Sequence, residues 1–164
     1  MTTGEVIYFV AINGFAWGTI HVAVSWCGTR LPNHCFATRT GWSRPRSFER
    51  SGWLYEQVLR IKKWKDRIPD AAPWFQGGFP KKQMLSSGTE YLLRFQLETR
   101  RGEAVHWVVL LSSGLFFIWN PPGIAVLNVV YGLLANLPCI FIQRYNRIRM
   151  DRILDKNQSR EITV

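Results

Sequence analysis

Two uninterrupted runs without Asp, Glu, Lys or Arg dominate the polarity pattern of the chain, Val6 to Cys27 and Ala104 to Ile142. As a helix the first would rise about 33 Å, enough to cross a hydrocarbon core of about 30 Å, and it predicts a transmembrane helix over 6–27. Ala23-Val24-Ser25 imitates a small-residue cleavage site, but no basic region precedes the run and its apolar stretch is too long for a signal peptide. The second run is interrupted by Asn120-Pro121-Pro122-Gly123, and tandem proline removes two backbone donors, so a helical hairpin is expected. Its arms are 104–119, a short span of about 24 Å, and 123–142, a full one of about 30 Å. The short arm either thins the bilayer, extends below Glu103, or forms half of a re-entrant hairpin. The expected fold class is an all-α integral membrane protein with about three transmembrane helices. It forms a single membrane domain over 1–164, with 28–103 as a basic cytoplasmic loop containing amphipathic helices and 143–164 as a cytoplasmic tail.

Between the two runs, Leu54, Val58, Ile61 and Ile68 recur at helical spacing, flanked by Trp53 and Trp64, while Arg60, Lys62, Lys63 and Arg67 lie off that stripe. This predicts an amphipathic helix over 53–68, lying on the inner leaflet or packed against a small cytoplasmic core. Turns are expected around Pro69, Pro73, Gly77, Gly78 and Pro80. Ser87-Gly88-Thr89-Glu90 matches a capping box that opens a second helix, which Gly102 can close just before the hairpin. No internal repeat or low-complexity tract is present.

Charge then orients these elements. The chain has 21 Lys plus Arg against 11 Asp plus Glu, a net charge of +10. Fifteen of the basic residues lie between Gly28 and Glu103 and six from Arg144 onward, whereas Met1 to Glu5 and the Asn-Pro-Pro turn have none. The positive-inside rule places the N-terminus outside and both charged regions in the cytoplasm. Basicity here reflects topology and attraction to anionic lipid before nucleic-acid binding. The segregation excludes an evenly mixed soluble domain, and three cysteines, Cys27, Cys35 and Cys139, leave an odd thiol that excludes a secreted disulfide scaffold.

Candidate chemistry lies in polar groups placed where polar groups are costly. Gly14 and Gly18 form a small-xxx-small pair with His21 and Ser25 on roughly the same face, which is expected to meet another helix. Asn128, Gly132 and Asn136 form a similar stripe on the third span, and Pro138 can kink it. His21 and Asn136 lie about 9 Å from the cytoplasmic ends of their helices and His106 about 5 Å above Glu103, so the three can converge in the inner leaflet. The plainer reading of His21 and Asn136 is interhelical hydrogen bonding. Glu103 lies three residues before His106, within reach to orient and charge-stabilise an imidazole that deprotonates a hydroxyl, against the plainer reading of an anchoring histidine. No His/Cys/carboxylate set has metal-ligand spacing, so no metal is expected. Arg144, Arg147 and Arg149 suit phosphate, because a guanidinium donates two parallel hydrogen bonds, or equally anionic headgroups as a stop-transfer cluster.

Gly28-Thr29-Arg30-Leu31-Pro32, Lys63-Trp64-Lys65-Asp66 with Ile68 and Asp70, Glu98-Thr99-Arg100-Arg101-Gly102-Glu103 leading into His106-Trp107, and Ala135-Asn136-Leu137-Pro138 leading into Gln143-Arg144-Tyr145-Asn146-Arg147 follow in order. Together these blocks resemble the glycosyl-4,4'-diaponeurosporenoate acyltransferase family of small bacterial membrane proteins. The resemblance runs, with gaps, from about Gly28 to Arg149. It implies an acyltransferase of staphyloxanthin-type carotenoid synthesis, esterifying a sugar hydroxyl of a glycosylated carotenoid or isoprenoid lipid with a fatty acyl group. The implied place is the bacterial cell membrane, multi-pass, with the active site facing the cytoplasmic leaflet. The implied partners are membrane lipid, that acceptor and a fatty acyl donor, without nucleic acid or cofactor; acyl-CoA or a similar thioester is the donor substrate, and a homo-oligomer is left open. On this reading His106 takes the hydroxyl proton, Glu103 holds the imidazolium, and Asn136 or Arg101 donates to the oxyanion. Arg144, Arg147, Arg149 and Arg30 hold donor phosphates. Trp64, Tyr145 and Asn146, inside the matching blocks, complete the expected substrate-binding set. No Cys-His acyl-enzyme arrangement is found, which favours direct transfer. The rival readings are a non-enzymatic lipid-binding or assembly protein and another small lipid-modifying transferase, the latter without a glycine-rich nucleotide loop to support it.

Overall fold

The structure is a computed structural model and describes residues 2–37, 41–69, 74, 78–81 and 84–162, apart from the side chains of 50, 51 and 160–162. Among the described residues it is all-helical. Helix α1 spans Thr3–Arg30, a short α2 His34–Ala37, α3 Thr89–Ser112 and α4 Pro122–Ile162. Two of these, α1 and α4, are long and apolar enough to cross a membrane.

The N-terminal helix starts at a capping box, with the Thr2 hydroxyl accepting from the Glu5 amide and the Glu5 carboxylate accepting from the Thr2 amide. This arrangement satisfies two otherwise orphaned donors of the first turn. The box expected at Ser87–Glu90 does not form. Helix α3 begins at Thr89 with Gly88 as its N-cap and no side-chain cap, while the Ser86 hydroxyl accepts from the Gly88 amide.

Nor does Gly102 end that helix. α3 runs on to Ser112 and passes through a 3-10 turn, Ser113–Phe117, into the proline turn. Gly102 serves instead as a point of close approach, where an added Cβ would lie 3.1 Å from Cδ of Gln143 on α4. The arm expected over 104–119 is thus the end of a longer helix whose beginning is charged. α4 likewise continues past Ile142 for five further turns at about 3.6 residues each, so the expected tail is helical through Ile162.

The expected amphipathic helix over 53–68 is broken. A π-helical turn, Leu54–Val58, gives way to short 3-10 turns at Ile61–Lys63 and Lys65–Arg67, separated at Arg60, whose φ of 47° is left-handed. Val58 is 56% exposed while Tyr55 and Ile61 are buried against Tyr145 and Ile148 of α4. A lone helix of this length is marginal in water, and packing on α4 outweighs its continuity. Of the expected turns, Pro73 and Gly77 lie outside the described residues.

Three apolar clusters hold the helices. Trp17 of α1 stacks on Phe116 beside Val109, Tyr55 and Ile61 pack on Tyr145 and Ile148, and Leu92 and Phe95 pack on Met150 and Leu154. Polar rungs link the spans: Asn13 exchanges amide hydrogen bonds with Asn120, and the Trp17 indole N–H donates to Asn128 Oδ1 at 2.9 Å. The Gly14–Gly18 face, expected to meet a helix, is open, with nothing within 4 Å of an added Cβ at either position.

Candidate active site

A cavity of about 280 Å³ opens between the C-terminal part of α1, the middle of α3 and α4. It is lined by His106, Ser25 and Cys139 from the apolar segments and by Lys65, Lys81 and Arg94, with the carboxylates of Asp66 and Glu98, from the charged ones. Each wall follows from the local fold. Gly28 lets α1 close onto α3, because a Cβ there would collide with Val105 Cγ2. Arg101 then secures the end of α1, donating from Nη1 to the Gly28 and Leu31 carbonyls at 2.8 and 2.6 Å and from Nη2 to Asn33 Oδ1 at 2.6 Å. These carbonyls are among those a helix C-terminus leaves without partners.

His106 places Nδ1 3.0 Å from Oδ1 of Asn136, which is itself fully buried and donates from Nδ2 to the Gly132 carbonyl at 3.0 Å. The convergence expected for His106 and Asn136 is therefore present, and His21 packs its ring 5.6 Å from that of Trp17 nearby on α1. The expected Glu103–His106 pairing is absent. Glu103 Oε1 accepts from Arg144 at 2.8 Å and Oε2 from Arg147 at 2.6 Å, with the Trp107 indole N–H 3.4 Å from Oε1. Spacing of three residues allowed the pair, but two guanidiniums on α4 are stronger partners for a fully buried carboxylate than a neutral imidazole.

Arg144 joins this carboxylate to a second one. Its Nε and Nη2 donate to Glu49 at 2.8 and 2.9 Å, and its Nη1 and Nη2 also reach the Trp42 and Arg44 carbonyls. Tyr55 Oη and the Arg46 amide donate to the same Glu49 carboxylate. Burial alone would raise the Glu49 pKa, but the bonds from Arg144, Tyr55 and Arg46 outweigh it and hold the carboxyl below its ordinary value. For Arg144, burial opposes the charge, yet Glu49 and Glu103 prevail and hold its pKa above the ordinary value. The network ties the 42–49 segment to α3 and α4. Arg147 is 3% exposed, and its Nε and Nη1 have no hydrogen-bond partner among the described residues.

The other expected site residues divide. Arg101 and Asn146 line the cavity. Asn136 sits behind His106 at 0% exposure, with Oδ1 turned to the His106 ring and Nδ2 donating to the Gly132 carbonyl. Arg101 spends four of its five N–H donors on Glu98, Gly28, Leu31 and Asn33. Tyr145 is 2% exposed in the cluster with Tyr55, and Trp64 packs against that cluster with its indole N–H on the Leu59 carbonyl. Arg30 lies over the Trp26 ring at 5.3 Å, and both Arg30 and Arg149 are exposed. Besides Arg101, the cations Lys65, Lys81 and Arg94 line the cavity, and these three escaped the sequence reading because they lie on three separate segments. Gln143 was also missed: it lines the cavity, and its buried Oε1 has no partner among the described residues.

The comparisons with known proteins bear on this arrangement. The family model described as glycosyl-4,4'-diaponeurosporenoate acyltransferase matches residues 39–156. A protein of that name from Staphylococcus haemolyticus (strain JCSC1435) is 33% identical over 161 residues, covering 98% of this chain and 94% of the relative. Another of the same name, from Staphylococcus aureus (strain USA300), is 28% identical over 138 residues, covering 84% and 83%. No solved structure matches. The match takes in the cavity's α3 and α4 walls, His106, Asn136 and the buried arginine network alike, and on that coverage the chain belongs to the glycosyl-4,4'-diaponeurosporenoate acyltransferase family.

Proposed function

We propose that the chain esterifies a sugar hydroxyl of a glycosylated carotenoid or related isoprenoid lipid with a fatty acyl group taken from an acyl thioester. The observation that carries this reading is one cavity lined both by His106 from the apolar segments and by Lys65, Lys81 and Arg94 from the charged ones. A lipid-borne acceptor approaches from the apolar segments and a phosphate-bearing donor from the charged ones. His106 accepts the hydroxyl proton as the oxygen attacks the thioester carbonyl. The new C–O bond forms, the C–S bond breaks, and the departing thiolate takes the proton back. Gln143 Oε1 accepts from another hydroxyl of the sugar, and the fifth N–H of Arg101 faces the oxyanion. The three cations hold the donor's phosphates. This reassigns that task from Arg144, whose guanidinium is held by Glu49 and Glu103, and from Arg147, which is 3% exposed and paired through Nη2 with Glu103.

The same reading sets the enzyme in the bacterial cell membrane with its N-terminus outside and the cavity at the cytoplasmic leaflet. On this reading the end of α3 and the 3-10 turn after it form the second of three spans: Val108, Leu111, Leu115 and Ile118 are exposed there, as Val126, Leu127, Val130 and Leu134 are on α4, and lipid is the environment that suits such a belt.

The test is purified protein in nanodiscs with acyl-CoA and a glycosylated isoprenoid, followed by mass spectrometry for the ester. His106→Ala is expected to insert and fold but to lose on the order of 10²- to 10⁴-fold in rate. Lys65→Ala, Lys81→Ala and Arg94→Ala raise the donor concentration needed while leaving kcat nearly unchanged. Near-normal turnover in folded His106→Ala would eliminate the base. Failure of the wild-type protein across a broad acceptor panel would favour a non-enzymatic lipid-binding role.

A further inference from the structure

Three asparagines of the 120–136 region share one habit. Asn120, Asn128 and Asn136 each donate from Nδ2 to the carbonyl four residues earlier, that of Phe116, Ile124 and Gly132 respectively. An amide held this way presents Oδ1 outward as an acceptor. At Asn128 the partner is the Trp17 indole N–H, a group that can only donate, so the orientation of the amide there is unambiguous. Asn136 lies two helical turns further along α4 and repeats the arrangement, with His106 Nδ1 standing at 3.0 Å where the indole nitrogen stands at 2.9 Å. Turning the Asn136 amide over would set its oxygen against the Gly132 carbonyl oxygen, two acceptors facing each other in a fully buried place.

From this we infer that Asn136 is a positioning residue that locks His106 in the Nδ1–H tautomer. Nδ1 donates to Asn136 Oδ1, so the lone pair of the imidazole belongs to Nε2. His106 lines the cavity whereas Asn136 lies behind it at 0% exposure, so Nε2 is the ring nitrogen left to the substrate. For the step itself the inference rests on the acyl-transfer reading: Nε2 takes the acceptor hydroxyl's proton while the oxygen bonds to the thioester carbon, and returns it to the departing thiolate. An amide in this place holds the ring without a negative charge behind it, the arrangement of Cys-His-Asn enzymes rather than of Ser-His-Asp ones. Glu103, three residues away in sequence, is committed to two arginines and leaves the task to Asn136.

The experiment is ¹⁵N NMR of the full chain in nanodiscs with labelled histidine, the His106 signals being assigned by their loss in His106→Gln among three histidines in all. The wild type is expected to show a protonated Nδ1 and an unprotonated Nε2 at neutral pH. Asn136→Leu, close in volume but without an acceptor, is expected to gain the Nε2-protonated form and to lose on the order of 10²-fold in kcat with KM nearly unchanged. Asn136→Asp, with one carboxyl oxygen protonated to donate to the Gly132 carbonyl, still offers the other oxygen to Nδ1 and is expected to keep the Nδ1–H form and more of the kcat than Asn136→Leu. A wild-type His106 protonated at Nε2, or an Asn136→Leu protein that keeps both the tautomer and kcat, would overturn the inference. An Nδ1–H His106 in a protein whose His106→Ala form turns over normally would instead remove the general base and leave the tautomer lock standing.

Discussion

At the scale of single residues, the buried ion network separates folding from chemistry. Arg144→Ala would leave Glu49 and Glu103, both fully buried, without their shared guanidinium. Breaking one partner from a buried pair costs about 3–5 kcal/mol, so the expected outcome is a marked loss of folded protein in detergent, read by thermal unfolding, rather than a raised donor KM. Glu49 adds a dependence on acid. Its folded pKa is depressed below the ordinary 4.5, so its contribution is complete above that value and is lost as pH falls through the depressed one. Thermal midpoints measured from neutral pH downward should therefore drop in that window, and Glu49→Gln should start lower and decline less steeply. Gly52 offers a backbone test at the same scale. Its φ of 99° is left-handed, and an added Cβ would come 2.8 Å from Arg152 Nη2. Gly52→Ala is expected to cost about 1–3 kcal/mol in equilibrium unfolding.

Elements are positioned by where their surfaces can approach. α1 is mostly exposed and is held at few places: the Asn13 and Trp17 rungs, the Gly28 approach to Val105, and the Arg101 bonds at its end. Gly28→Ala forces a methyl into Val105 and, as with other overpacked sites, is expected to cost about 1–3 kcal/mol, while Gly14→Ala, with open space around it, should stay within about 0.5 kcal/mol. Parallel thermal unfolding of the two variants checks this, and equal losses would contradict the asymmetric docking of α1. Because Gly28 and Arg101 both line the cavity, the Gly28 variant should also lose activity in proportion to its displaced wall.

On the scale of the whole molecule, a segregated chain puts its charges at one end of a helical hairpin and its bare apolar surfaces at the other. With 15 basic residues between Gly28 and Glu103, translocation of that segment is opposed and the N-terminus is expected outside. Single cysteines at Thr3→Cys and Ser86→Cys, in a background lacking Cys27, Cys35 and Cys139, can be labelled in intact cells with an impermeant thiol reagent. Labelling at position 3 and protection at position 86 is the expected outcome, and the converse would invert the topology. Residue order alone determined the helical class, the proline turn after Asn120, the two long apolar helices and the family blocks, because hydropathy, proline geometry and motif order are local properties of the chain. Residue order also pointed to His106 and Asn136, since polar side chains in apolar helices must find one another. Tertiary structure decided their partners. Glu103 was close to His106 in sequence, yet α4 brought Arg144 and Arg147 against it, and two cations satisfy a buried carboxylate better than an imidazole does. Lys65, Lys81 and Arg94 came to line one cavity only when three segments separated along the chain closed around it, a juxtaposition that no spacing encodes.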